Sequence, residues 1–154
     1  MVRVHVAPPK TGEDMVKQVS CPFCTNREPV LKENGTARAF LSNPRKVPGH
    51  FLVAPKRHIE KPWELTQTEL KDVFSLIFFI EKQLVSKLGQ GVDIRQNYRP
   101  YIPQDSLKVD HVLFHVYPRY HQDYLYQVSE KFEADLFTEL DPAETEEFMR
   151  LLNP

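Results

Sequence analysis

Two cysteines in 154 residues are too few for a disulfide framework, and a chain of this length buries a core without one. No apolar run approaches the ~18 to 20 residues that a membrane helix needs. The longest, residues 73–80, holds a serine and runs straight into Glu81 and Lys82. An excess of either charge is missing as well, since 20 Lys+Arg stand against 21 Asp+Glu. That balance excludes a bulk nucleic-acid binder but leaves room for a local phosphate site. The first residues lack a basic head followed by an apolar stretch, so no secretory signal is expected. The expected location is therefore cytoplasmic, where neighbouring thiols stay reduced. Internal repeats and low-complexity tracts are absent too. What is present is an ordinary globular composition, 41% hydrophobic and 27% charged, of a size that suits one domain. Thirteen prolines exceed the average of about 5% and predict long irregular connections.

The pattern predicts an N-terminal segment over 1–20, a core domain over 21–120, and a C-terminal extension over 121–154 that holds a short helix. Val2 to Val6 alternates like an edge strand, and Pro8 to Asp14 reads as loop. Asn34-Gly35 is a hairpin signal, because both residues tolerate positive φ. Strands are expected over 37–41 and 50–55, with a turn at Pro48-Gly49 between them. Thr66 to Leu88 is the best helix. Thr66-x-x-Glu69 forms a capping box, and Leu70, Val73, Phe74, Ile77, Leu84 and Leu88 make one apolar stripe. Gly89 and Gly91 are expected to end it. Phe78, Phe79 and Ile80 widen the apolar surface and read as core. Residues 91–98 and 111–117 predict two more strands, joined by a loop that contains prolines. Asp141-Pro142 reads as an N-cap and first helical residue of a terminal helix.

In the strand at 111–117 side chains alternate faces. Val112, Phe114 and Val116 share the core face. His111, Leu113, His115 and Tyr117 share the other, where leucine stands in place of an expected polar residue. Cys21-Pro-Phe-Cys24 offers two thiolates at a spacing that suits tetrahedral zinc. Six histidines compete for the remaining two positions, and spacing alone does not choose among them. A redox pair and a chance pair stay open at this point. Cys-Pro-Phe-Cys resembles the glutaredoxin active-site motif, in which a helix start lowers the first thiol's pKa, but Pro29 and Asn34-Gly35 spoil the long helix that would have to follow.

Taken in order, Cys21-x-x-Cys24, Ala39-Phe40-Leu41, residues 47–59 (VPGHFLVAPKRHI), the start of the long helix, Asn97 and His111-Val-Leu-Phe-His115-Val resemble the histidine-triad (HIT) superfamily of nucleotide hydrolases and transferases. The resemblance covers about two-thirds of the chain. It is nearest the zinc-containing branch, which includes bacterial HIT hydrolases and galactose-1-phosphate uridylyltransferase. It implies an α+β fold with a five-stranded antiparallel sheet, one long and one short helix, and a two-fold homodimer. Structural Zn2+ on Cys21, Cys24, His58 and His111 follows from the same resemblance, with four protein ligands leaving no open position. Implied partners are a nucleotide or nucleotide-derived small molecule, with no nucleic acid and no membrane.

The departure lies at Leu113, which matches the middle histidine of the family signature, the nucleophile that forms a nucleotidyl-histidine. An isobutyl group has no lone pair to attack phosphorus and nothing to titrate. His115, the last signature position, matches a residue that contacts the phosphate region. It lies ~6.5 Å along the strand, too far to substitute where reacting atoms must stand about 3 to 3.5 Å apart. Asn97 matches an asparagine that holds ligand or nucleophile. Gln104, Ser106 and Lys108 match the loop of phosphate contacts, Ser42 and Asn43 the ribose region, and Phe40 and Leu41 the wall of the base pocket. Lys56, Arg57 and Arg119 read as solvated charges, His121 as an exposed loop residue, and His50 as a core or loop histidine. The expected function is a HIT-type nucleotide or phosphate binder impaired in covalent nucleotidyl transfer. The alternatives are an active hydrolase or transferase working on phosphoramidates, dinucleoside polyphosphates or nucleotide sugars, and a thiol oxidoreductase using Cys21 and Cys24.

Overall fold

A computed structural model describes residues 21–25, 27–88, 91–105 and 107–154. The expected strand over Val2 to Val6, the helix stop at Gly89 and the side chain of Ser106 lie outside the described residues. Five antiparallel strands form one sheet: β1 (Lys32–Glu33), β2 (Ala37–Leu41), β3 (Phe51–Pro55), β4 (Gly91–Gln96) and β5 (Phe114–Arg119), in the order β1-β2-β3-β5-β4. The long helix α1 (Gln67–Leu88) covers one face. The α+β expectation therefore holds, with the five-stranded antiparallel sheet and the one long helix it named. The chain divides into two compact units, one ending at His121 and the other comprising Gln122–Pro154. The second holds a turn of π-helix at Tyr126–Glu130, a short 3-10 segment and α2 (Pro142–Leu152). As its sequence predicts, α2 starts at Asp141, whose Oδ1 accepts the Ala143 N–H at 2.9 Å.

Helix α1 begins where the capping box places it. Thr66 Oγ1 accepts the Glu69 N–H at 3.2 Å, and Glu69 Oε2 accepts the Thr66 N–H at 2.9 Å. Val73, Leu76, Ile77 and Ile80 then pack on Ala37, Ala39, Val53, Phe114 and Val116 of the sheet. Two expectations about this helix are corrected. Phe78 and Phe79 are 55% and 43% exposed, and Leu70 and Leu88 are also exposed. The sheet meets only one stripe of a 22-residue helix, so apolar residues off that stripe stay in solvent. Gly91 opens β4 rather than ending the helix.

The two turns use glycine differently. Gly49 has φ +76°, a conformation that costs glycine little. The hairpin expected at Asn34-Gly35 forms, joining β1 to β2, but Gly35 does not use positive φ. A Cβ there would lie 2.9 Å from Asp72 Oδ2, so the glycine serves a close approach. Asp72 Oδ2 also accepts the Thr36 N–H and hydroxyl, at 2.9 and 2.8 Å, which ties this turn to α1.

β5 begins three residues later than predicted, at Phe114, yet the alternation expected of it persists. Val112, Phe114 and Val116 face the helix side, while Leu113 packs in a second cluster with Cys21, Phe23, Phe40, Leu52 and Ala54. The face of the sheet away from α1 is therefore the face on which chemistry can be built.

Candidate functional site

Four residues converge beside that second cluster. Cys21 and Cys24 lie on one tight turn, where the Cys24 and Thr25 N–H groups donate to the Cys21 carbonyl at 3.2 and 3.1 Å. His58 follows β3, and His111 precedes β5. Their ligand atoms all lie within 4.8 Å of one another. Cys21 Sγ is 3.4 Å from His111 Nδ1, and Cys24 Sγ is 3.3 Å from His58 Nδ1. Each imidazole is held from behind. His111 Nε2 donates to the Pro55 carbonyl at 2.9 Å, and His58 Nε2 faces Glu60 Oε1 at 3.5 Å. Both histidines thus turn an Nδ1 lone pair toward the sulfurs, the arrangement by which outer partners orient metal ligands. Burial opposes ionisation of the Cys21 thiol, but His111 and His58 outweigh it and bring it down to about 5. Burial and the neighbouring Cys21 push Cys24 up to about 12. Like charge on the two sulfurs opposes their ionising together, and a bound divalent cation would relieve that repulsion. Two sulfurs and two oriented imidazoles are the donor set of a closed tetrahedral zinc site, so these residues fit a metal ion.

A cavity of about 590 Å³ opens next to this cluster. Pro22 and Phe23, the two residues between the cysteines, form part of its wall. Phe23 packs edge-on against Phe40 and His111, with ring centroids 5.2 and 5.9 Å away. Of the residues expected here, Leu41, Ser42, Asn43, Gln104, Leu113 and His115 line the cavity. Phe40 does not, being fully buried beneath it. Asn97 and Lys108 line a separate cavity of about 180 Å³ together with His111, and Lys108 is paired there with Asp110. The structure thus brings the four sulfur and imidazole donors together, gathers five of the other expected residues around His115, and sets Asn97 and Lys108 apart.

Sequence reading took His50 for a core or loop histidine, which its burial bears out, but missed its pairing with His115 and did not single out Lys46. His50 is 97% buried, and its ring contacts both His115 and Tyr117, at centroid distances of 5.2 and 4.4 Å. The Lys46 backbone N–H donates to His50 Nδ1 at 3.2 Å, and His50 Nε2 lies 3.0 Å from His115 Nδ1. Burial, aided by His115 and Lys46, lowers His50 to about 4. Burial, aided by Lys46 and Arg95, does the same to His115. Both imidazoles are therefore neutral at pH 7. The one signal in the sequence was phase: His50 alternates with Leu52 and Ala54, and Leu52 pairs with His115 across β3 and β5. That register is visible only in the fold.

Leu113 sits between this histidine pair and the metal-type cluster. The cavity is lined by the two imidazoles, by charges of both signs from Glu28, Arg45, Lys46 and Asp105, and by a hydrocarbon at position 113.

Residues 25–122 match the HIT domain family. The adenosine 5'-monophosphoramidase hnt1 of Schizosaccharomyces pombe is 31% identical over 112 residues, covering 69% of this chain and 79% of that protein. An uncharacterized HIT-like protein of Methanocaldococcus jannaschii is 38% identical over 112 residues, covering 67% of this chain and 81% of its own. Among solved structures, a member of the HIT family from Bacillus subtilis superposes with a TM-score of 0.64 at 22% identity, covering 86% of this chain and 94% of that one.

Proposed function

The chain belongs to the HIT domain family, and from that premise we propose that it binds a nucleotide or nucleotide-derived phosphate in the cavity over His115 and is impaired in covalent nucleotidyl transfer. The observation that carries this reading is Leu113, a cavity-lining hydrocarbon where the family resemblance puts the attacking imidazole. The phosphorus-attack step needs a lone pair within about 3.5 Å, and leucine supplies none. Part of the surrounding lining supports the binding role. His115 and Lys46 supply polar and charged groups, Asn43 and Gln104 line the rim, and Leu41 offers an apolar wall.

A second reading, an enzyme that still turns over by direct attack of water, is favoured by the similarity to hnt1, an adenosine 5'-monophosphoramidase. The thiol-oxidoreductase reading loses support, because two imidazoles stand 3.3 to 3.4 Å from the sulfurs in a metal-type arrangement. The proposal therefore includes one structural zinc ion per chain on Cys21, Cys24, His58 and His111. With four protein ligands it would brace the fold and leave no position for substrate. A two-fold homodimer and a cytoplasmic setting complete the proposal. Among the described residues no helix is long and apolar enough to cross a membrane.

The test pairs a binding titration with a turnover assay. AMP is expected to bind saturably. The chain as it stands is expected to release no product from an adenosine phosphoramidate or a dinucleoside polyphosphate, whereas Leu113→His gains turnover. Absence of saturable AMP binding would end the binding role. Turnover by the unmodified chain would end the impaired-transfer reading in favour of water attack.

A further inference from the structure

The polar edge of the cavity is a chain of hydrogen bonds with a fixed direction. It begins at a backbone amide, which can only donate. The Lys46 N–H points at His50 Nδ1 over 3.2 Å, so Nδ1 must be the unprotonated nitrogen of that ring. In a neutral imidazole the proton then sits on Nε2. His50 Nε2 faces His115 Nδ1 at 3.0 Å, so it donates and His115 Nδ1 accepts. The same rule places the proton of His115 on its Nε2. His115 lines the cavity, and Nε2 is the ring nitrogen that His50 leaves for a ligand.

We propose that His50 is a positioning residue, which together with the Lys46 amide locks His115 into the tautomer that presents an N–H donor, and no lone pair, to a ligand. This rests on the nucleotide-binding reading and sharpens it in two respects. The ligand group met by His115 is an unprotonated acceptor, of the kind a phosphate ester oxygen provides. His115 also cannot replace the missing nucleophile at position 113. Attack through Nε2 needs a lone pair there, which moves the proton to Nδ1. That proton would face the His50 Nε2–H at 3.0 Å. Relieving the clash would move the His50 proton to Nδ1, where it would meet the Lys46 N–H. The lone-pair tautomer is thus opposed at both links of the chain, and unmatched buried donors are strongly disfavoured. Neutrality of both rings at pH 7, held by burial, keeps the relay in a single protonation state.

Two measurements test the assignment. Long-range 1H–15N NMR at pH 7 reads each ring nitrogen directly. The expected result is an unprotonated Nδ1 and a protonated Nε2 for both His50 and His115. A protonated Nδ1 on His115 would overturn the proposal. In His50→Phe the lock is removed, and the two His115 nitrogens are expected to move toward averaged shifts. No movement would show that His50 does not set the tautomer. The second measurement is AMP affinity across a donor series. His115→Gln retains an N–H donor and is expected to stay within about threefold of the unmodified chain. His115→Leu is expected to lose about tenfold or more, the scale of a hydrogen bond to a charged group. Equal loss in both variants would refute the donor role. The two readings separate cleanly. If AMP fails to bind but the tautomers are as stated, nucleotide recognition falls and the lock stands. If AMP binds and His115 carries its proton on Nδ1, only the lock falls.

Discussion

Glu69 answers to two neighbours at once. It closes the cap of α1 through the Thr66 N–H, and it accepts Arg57 Nε and Nη2 at 2.8 Å each. The Arg57 guanidinium, with the Thr66 amide, holds its carboxyl down to about 2 against an ordinary 4.5. A depressed carboxylate stabilises the fold fully above its ordinary pKa and loses that contribution as pH falls toward the folded value. Glu69→Gln is therefore expected to cost about 2 kcal/mol near neutrality, lowering Tm by roughly 4–8 °C. The gap between variant and parent should close between about pH 4.5 and pH 2, which melting curves across that range will show.

The metal-type cluster makes a second prediction for single residues. Protein purified without chelator is expected to carry about one zinc per chain, and His111→Ala to carry none. At free zinc a thousandfold above Kd, loading contributes ~4 kcal/mol, so chelation should lower Tm well beyond the Glu69 effect. Metal analysis that finds no zinc in the parent would remove the assignment. These four residues were legible in the sequence because Cys-x-x-Cys and the two histidines stand in family order. The contact of His50 with His115 was not legible. The two are 65 residues apart, and no local pattern announces a pairing made by strand register.

At the scale of the element, α1 shows what sequence pattern conveys and what it withholds. The capping box and the 3.6-residue period located the helix to within a residue. The run Leu76-Ile77-Phe78-Phe79-Ile80, though, is apolar all round, and periodicity does not say how many faces will be covered. The sheet covers one. Ile77 is fully buried and Phe78 is 55% exposed. Ile77→Ala is expected to cost about 2–5 kcal/mol and Phe78→Ser to stay within about 0.5 kcal/mol. Denaturant titration of the two variants measures the contrast, and equal losses would mean that Phe78 is covered in solution. Strand β5 was displaced for a related reason. His111 to Leu113 keep the alternation of a strand, but their backbone is engaged elsewhere. The His111 and Val112 N–H groups donate to Val109 and Ile59 carbonyls, so the ladder starts only at Phe114.

At the scale of the whole molecule, the cluster and the cavity share a wall. Pro22 and Phe23 are held at both ends by cysteines of the metal-type site and face the cavity between them. Stripping the metal is therefore expected to weaken AMP binding as well as stability, and by linkage AMP should slow metal loss to a chelator. Identical AMP affinity with and without zinc would show that the wall stands unaided.

The boundary at His121 carries a last consequence. Residues 122–154 hold nine acidic and two basic side chains, while 1–121 hold twelve acidic and eighteen basic. The overall charge of −1 conceals a strongly anionic C-terminal unit and a cationic remainder. Cleavage after His121 would yield fragments that migrate toward opposite electrodes at neutral pH, and an ion exchanger that ignores the intact chain would retain one of them.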